Sequence, residues 1–436
     1  MKTRYIAHIT LEAQTPLKVG SSDSDFMKDS PIQKDWNGLP MILGTSIAGV
    51  LRKDFEGNDD EVFGKEFGSK VIFSNALLVD ENGKVNEGLL LEKTPFLELF
   101  DNLPQREHTA ITEKGVAKEH SKFDEEVVYK GTQFKFALEM LEDESSFKQL
   151  LAMLQSPAFR LGGGSTKGFG KFKVLEILTQ TLETPQALAN YSISLNSTEG
   201  SRVDLSTTNE AKNHSIYKLN IAPDDFFMFG SGFGDDDADQ IPVVEKIIDY
   251  KAKGLSKNHI LIPATSIKGA LSHRTAFHYN KKMLEEKKDH TQIAENNDAV
   301  KAIFGHKKEL AEDKKTELGQ KGRILIADCF KEENKESTKV FDHVAIDRFT
   351  GCGLDGALFQ EKTTAQEDEW EVEILLEHNK ENKNLSDEEK KEEKNKYQKA
   401  VKAFESTLDD VCSGMLPLGG ATTKGHGVFT GTWSKS

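Results

Sequence analysis

One glycine-rich stretch occurs twice in this chain. Arg160-Leu161-Gly162-Gly163-Gly164-Ser165-Thr166-Lys167-Gly168-Phe169-Gly170 returns near the C-terminus as Leu418-Gly419-Gly420-Ala421-Thr422-Thr423-Lys424-Gly425-His426-Gly427, with Gly, Gly, Thr, Lys, Gly and Gly in matching places. Four further landmarks repeat in the same order. Thr45-Ser46-Ile47-Ala48-Gly49-Val50-Leu51 matches Thr265-Ser266-Ile267-Lys268-Gly269-Ala270-Leu271, and Val62-Phe63-Gly64 matches Ile303-Phe304-Gly305. His108-Thr109-Ala110-Ile111 matches His343-Val344-Ala345-Ile346, and a polar, Asp-rich loop running to a proline occupies 22–31 and again 232–242. Five landmarks in one order, twice, mean an internal duplication. The expected division is a first domain over 1–195, a polar linker over 196–213 and a second domain over 214–436.

Length agrees, since 436 residues suit two domains of about 200 residues better than one core. No apolar run reaches the roughly 18 residues that span a bilayer, and the N-terminus alternates like a strand rather than showing the apolar core of a signal peptide. A cytoplasmic protein without a membrane partner is expected. Cys329, Cys352 and Cys412 lie far apart and form no C-x-x-C pair, which indicates neither a disulfide framework nor a structural zinc site. A net charge of −15 argues against a protein coated in nucleic acid. Its distribution matters more. Between Ser145 and Leu175 there is no acid, only Lys148, Arg160, Lys167, Lys171 and Lys173; between Lys251 and Lys282 there is again none.

A glycine-rich loop with a fixed lysine and neighbouring hydroxyls offers backbone N–H groups, a cation and donors to a polyanion. It is not a Walker loop, because Lys167 and Lys424 precede a glycine and follow a threonine. A dinucleotide fold is also disfavoured, because Phe172, Val174 and the residues after them read as extended chain rather than helix. The alternative is a turn that only packs an adjacent strand. The Thr-Ser-Ile-x-Gly-x-Leu stretch reads as a helix start capped by Thr or Ser, where Gly49 or Gly269 would allow close approach by a backbone or a phosphate. Each half then reads strand, loop, helix, irregular insertion, strand, helix, glycine-rich loop, strand. That order is compatible with a ferredoxin-like α+β unit.

Taken together, Thr45 to Arg52, the loops from Leu161 and Leu418, and Val344-Ala345-Ile346-Asp347-Arg348-Phe349-Thr350-Gly351 resemble the RAMP superfamily, which builds the RNA-guided effectors of CRISPR systems. The resemblance is strongest to backbone subunits of type III complexes, and two copies in one chain resemble a fused tandem subunit of the III-D kind. It implies two RRM-like (ferredoxin-like) RAMP domains with inserted thumb hairpins, for which 105–123 and 344–359 are the candidates, and helical insertions. It further implies guide RNA (crRNA), target RNA and other CRISPR effector subunits as partners. RNA would be held by its backbone through Ser46, Arg52, Gly163, Gly164 and Lys167, and through Ser266, Lys268, Arg348, Gly420 and Lys424. Catalytic members use a loop Asp upstream of the helix start, with a divalent cation, expected to be Mg2+. Asp29 occupies that place and is the candidate metal ligand; in the second half the candidate is Asp239, with Asp236 and Asp237 as alternatives. Two other readings stay open at this point: an RNA-holding subunit without turnover, and a guide-processing nuclease acting through His108 or His120.

Overall fold

The computed structural model describes residues 2–21, 31–66, 68–112, 114–205, 213–286, 292, 294–306, 319–365, 369–378 and 386–436. Asp29 lies outside them.

Alternation sets the first strand. In Arg4–Ala13, Ala7, Ile9, Leu11 and Ala13 recur every second residue and enter the core, as a half-buried strand requires. It pairs antiparallel with Gln133–Leu141 on one side and Phe172–Leu182 on the other. Short strands Val71–Phe73 and Ala76–Leu78 extend the sheet beyond Gln133–Leu141. Read across, the order is second, third, first, fourth. The second half repeats it: Ile324–Ile326, Trp370–Glu377, His214–Pro223, Phe429–Lys435. Two ferredoxin-like domains in tandem are the result.

Each sheet carries two helices on one face. In the first half, Gly44–Asp54 contributes Ile47 and Leu51, and Glu144–Leu154 contributes Phe147, Leu150, Leu151 and Leu154. In the second, Ala264–Glu285 places Ile267, Leu271 and Tyr279 against Ala400, Phe404 and Leu408 of Asp387–Cys412. Each such aliphatic or aromatic side chain contributes about 1.5–3 kcal/mol on burial. The long last helix starts at Ser386, whose side chain and that of Glu389 cap each other's backbone. Its charged first turns then continue the helix into the apolar stretch that packs.

Between the second and third strands each half inserts a hairpin, Gln105–His108 with Phe123–Glu126 and Thr338–His343 with Phe359–Thr364. These are the candidate thumbs; the first runs three residues past the expected 105–123, and the second extends beyond the expected 344–359 on both sides.

The halves are interlocked. Ser201 and Arg202, in the expected linker, pair with Thr179 and Leu178 and so belong to the first sheet. Ile248, Tyr250 and Leu255 of the second half sit in or against the first core, and the Tyr250 hydroxyl donates to the Val79 carbonyl at 2.9 Å. Gly131 is obligatory here: at φ +87° its Cβ would lie 2.3 Å from the Ile248 carbonyl. Arg106, on the first thumb, donates to Glu245 and to Asp328 (2.6 Å), all three being nearly inaccessible. Burial alone would lower the Arg106 pKa, but Asp328 and Glu245 reverse that and hold it above its ordinary value.

Candidate nucleic-acid interface

The glycine-rich loops superimpose in conformation, not only in sequence. Gly162 and Gly419 have φ +83° and +96°, Gly164 and Ala421 +70° and +53°, Gly168 and Gly425 +104° and +92°. Between the last two pairs, Ser165–Lys167 and Thr422–Lys424 form one 3-10 turn. The Gly163 amide donates to the Lys18 carbonyl at 2.7 Å, and the Gly420 amide to the Met228 carbonyl at 2.7 Å. Gly170 and Gly427 likewise donate to Pro16 and Phe226. The glycines thus bring the loop onto the segment after the first strand, and these four amides are spent there instead of facing a phosphate. What each loop can present outward is its lysine and hydroxyls.

Each lysine stands over a buried carboxylate that the sequence reading missed. Glu125, on the returning thumb strand and 6% exposed, lies 2.5 Å from Lys18 Nζ, 3.3 Å from Lys167 Nζ and 3.2 Å from His108 Nε2. In the second half Glu361, 1% exposed, lies 3.6 Å from Lys424 Nζ, 3.3 Å from His343 Nε2 and 3.6 Å from His426 Nδ1. Phe123 stacks on His108 and lies under Lys167 (4.7 Å from Nζ to the ring centre); Phe359 stacks on His343 and lies under Lys424 (4.6 Å). Burial would push the Glu125 carboxyl up, but His108, Lys18 and Lys167 outweigh it and hold it well below the usual carboxylate range. His108 is therefore walled in by Phe123 and Glu125, whereas His120 is an exposed residue at the thumb tip, so the two are not brought together as a catalytic pair. A sequence signal existed: Phe123-Asp124-Glu125 echoes Phe359-Gln360-Glu361 beyond the repeated histidines.

The helix starts are capped differently from expectation. The helices begin at Gly44 and Ala264, so Thr45, Ser46, Thr265 and Ser266 lie inside the first turn and do not cap it. The Gly44 amide donates instead to Asn75 Oδ1 (2.9 Å) and the Ala264 amide to Asp328 Oδ1 (2.8 Å). Nothing lies within 4 Å of a Cβ built on Gly49 or Gly269, so neither supports a packing contact.

The first-half loop and the second-half helix start meet. A Cβ on Gly168 would strike Asp328 Oδ1 at 2.5 Å and Ala264 Cβ at 2.6 Å, and Lys268 Nζ donates to Thr166 Oγ1 at 3.3 Å. Burial, then Lys167, then Lys321 push the Lys268 ammonium down to about 8. Three lysines from both halves are gathered at one junction with like charges opposed. Arg52 is not part of it: its guanidinium holds Asp59 (2.8 Å), Asp60 (2.5 Å) and the Gly64 carbonyl. Arg348 is exposed at the tip of the second thumb.

The acidic loops have equal bases. Ser21 donates to the Pro31 carbonyl and Ser231 to the Ile241 carbonyl, both at 2.9 Å, enclosing nine residues each, 22–30 and 232–240. Counted along the sequence from these bases, Asp239 corresponds to Asp29, and the two prolines are offset by one. Asp239 Oδ2 accepts the Gln360 amide at 2.8 Å from the thumb, while Asp235 and Asp237 both pair with Lys362, at 2.5 and 3.2 Å. Asp236 is exposed. Among the described residues no group of three or more His, Cys, Asp or Glu could hold a metal. Lys362 lies between Asp235 and Asp237 and pairs with both, while Asp29, the expected metal ligand, lies outside the described residues.

Two ferredoxin-like domains, each with an inserted hairpin and a lysine-bearing glycine loop, make up a tandem protein. The chain belongs to the RAMP superfamily, whose family model matches residues 10–173 and 206–430. No curated protein matches it. Among solved structures, a type III-B Cmr-beta complex bound to cognate target RNA contains a chain similar at 19% identity, over 41% of this chain, with a TM-score of 0.31. The match spans 61% of that relative's length.

Proposed function

We propose that this chain is a double backbone subunit of an RNA-guided type III effector, III-D-like in its fusion, that holds guide RNA and paired target RNA and cuts the target. The lysine junction is the observation that carries the reading. Lys167, Lys268 and Lys321 repel one another as they stand, and burial makes the charge on Lys268 more costly; a phosphate between them relieves both. Ser46 and Ser266, left free by the Asn75 and Asp328 caps, stand in the first turn of helices whose positive ends favour phosphate. Lys424 and the Gly44 helix start are the corresponding open ends for neighbouring effector subunits to complete.

Cutting is assigned to the equivalent loop acids Asp29 and Asp239. The 2′-oxygen of the target attacks the adjacent phosphorus, the bond from phosphorus to the 5′-oxygen breaks, and a 2′,3′-cyclic phosphate and a 5′-hydroxyl result. An isolated carboxylate in water is a weak base at neutral pH. Its contribution is therefore to orient the 2′-hydroxyl, and the Gln360 amide fixes the Asp239 carboxylate for that purpose. No step here passes through Mg2+, whose requirement is measured separately with a chelator.

The test is the product pattern on complementary RNA. Asp29→Ala and Asp239→Ala should each remove one family of products while RNA binding and assembly persist. Unchanged products in both variants would refute the cutting role and leave an RNA-holding subunit.

A further inference from the structure

The contact between the halves has a counterpart at each outer end of the chain. Inside, the first half offers two cations and the second half receives them: Arg106 pairs with Glu245 and Asp328 (2.6 Å), and Lys171 Nζ lies 2.5 Å from Glu373. The repeat fixes which residues correspond. Asn75 and Asp328 hold the two helix starts, and Lys34 bridges to Pro40 as Val244 pairs with Ile260, each four residues before its helix, so Asp35 matches Glu245. The Lys171 and Val428 carbonyls accept the Gln14 and Asp224 amides, so Val428 matches Lys171. In the same frame Leu11 faces Phe134 as Ile221 faces Trp370, so Ala137 matches Glu373. Phe341, two residues before His343, matches Arg106, two before His108.

Both outer ends lose their charges together. On the receiving end Ala137 and Asn75 stand for Glu373 and Asp328, and the Asp35 carboxylate is taken up by its own turn, accepting the Asn37 and Leu39 amides at 2.9 Å. On the offering end Phe341 and Val428 stand for Arg106 and Lys171. The receiving end is a cleft of about 600 Å3 lined by Asp35, Asn75, Leu77 and Ala137. Trp36, 86% exposed, is on its wall with Ile72 and Ile193, both also exposed. Its other acids are engaged: Glu139 with Arg4 at 2.5 Å and Glu87 with Ser194 at 2.6 Å. An exposed apolar patch of this kind marks a protein contact. Cations like those of the internal junction would meet no free carboxylate here, whereas an end bearing Phe341 and Val428 brings none. The second half of this same chain presents that end.

We infer that the cleft of the first half receives the second half of another copy, so that chains join head to tail in the arrangement of the internal junction. The inference rests on the duplication and not on the RNA-guided reading, and it is measured without RNA, so a loss of RNA binding would leave it standing. Such a contact is heterologous and continues into a series instead of closing as a dimer. Sedimentation of the full chain should show association that rises with concentration through dimers to longer species. Trp36→Ser, at an exposed position, should weaken it roughly tenfold or more, as the loss of an aromatic anchor does. Ala137→Glu and Val428→Lys should each weaken it as well, because each buries a charge without a partner. Combined in one chain, they rebuild at the outer ends the pair that Lys171 and Glu373 make inside, and association should return. That recovery distinguishes a contact from a folding defect, since a charge in one domain does not repair misfolding in the other. A chain that stays monomeric at about 0.2 mM, single variants that associate as the wild type does, or a double variant no better than the singles overturns the assignment.

Discussion

Replacing Arg106 with Met tests how the halves are joined. Its guanidinium makes three hydrogen bonds to two carboxylates, and Arg106, Glu245 and Asp328 side chains are 6%, 10% and 0% exposed. Removing the cation strands two buried anions, which costs about 3–5 kcal/mol. Against a total of about 5–15 kcal/mol for a domain, that is a large fraction, and a loss of about 6–20 °C in melting temperature is expected for domains of this size. Urea unfolding followed through Trp370, buried in the second core, reads it directly. The triple variant Arg106→Met, Glu245→Met, Asp328→Asn removes all three charges and keeps an acceptor for the Ala264 amide. It should recover to within about 1–2 kcal/mol of wild type, because a neutral buried cluster is often no less stable than an ion triad. A single variant that loses less than about 1 kcal/mol, or a triple variant no better than the single, would refute this reasoning.

Two pH dependences follow from the interface. Glu125 titrates below its unfolded value, so its contribution is present above about pH 5 and is lost as pH falls below that. Glu125→Gln should therefore flatten the acid limb of the stability curve while lowering stability at pH 7 by about 1–3 kcal/mol, as measured by denaturant midpoints. Lys268, held down at about 8, discharges as pH rises through that value. RNA affinity should fall between about pH 7 and 9.5 and should stay level in Lys268→Arg, whose guanidinium remains charged; an equal fall in both proteins would exclude Lys268 from the contact.

The duplication, the order of elements and the two thumbs were legible because they leave local signals: repeated glycines at positive φ, alternating strands, and histidines before each thumb turn. What the glycines do was less legible. Gly163 and Gly420 serve a main-chain contact, and nothing in a glycine distinguishes a ligand cradle from a close backbone crossing. The caps were misassigned because Thr45 and Thr265 are good capping residues, yet Asn75 and Asp328, 31 and 64 residues beyond Gly44 and Ala264, supply the acceptors. Glu125 and Glu361 stayed hidden for the same reason: Lys167 and Lys424 reach them from a distant loop, and acids on a short strand read as solvated until the fold closes over them.

Salt titration of RNA binding tests the central claim most directly. If the two halves grip the RNA backbone through Lys167, Lys268 and Lys424, each Lys→Ala change should reduce the slope of log affinity against log salt by about 1, uniformly across RNA sequences. Slopes equal to the wild type in all three variants would contradict the account.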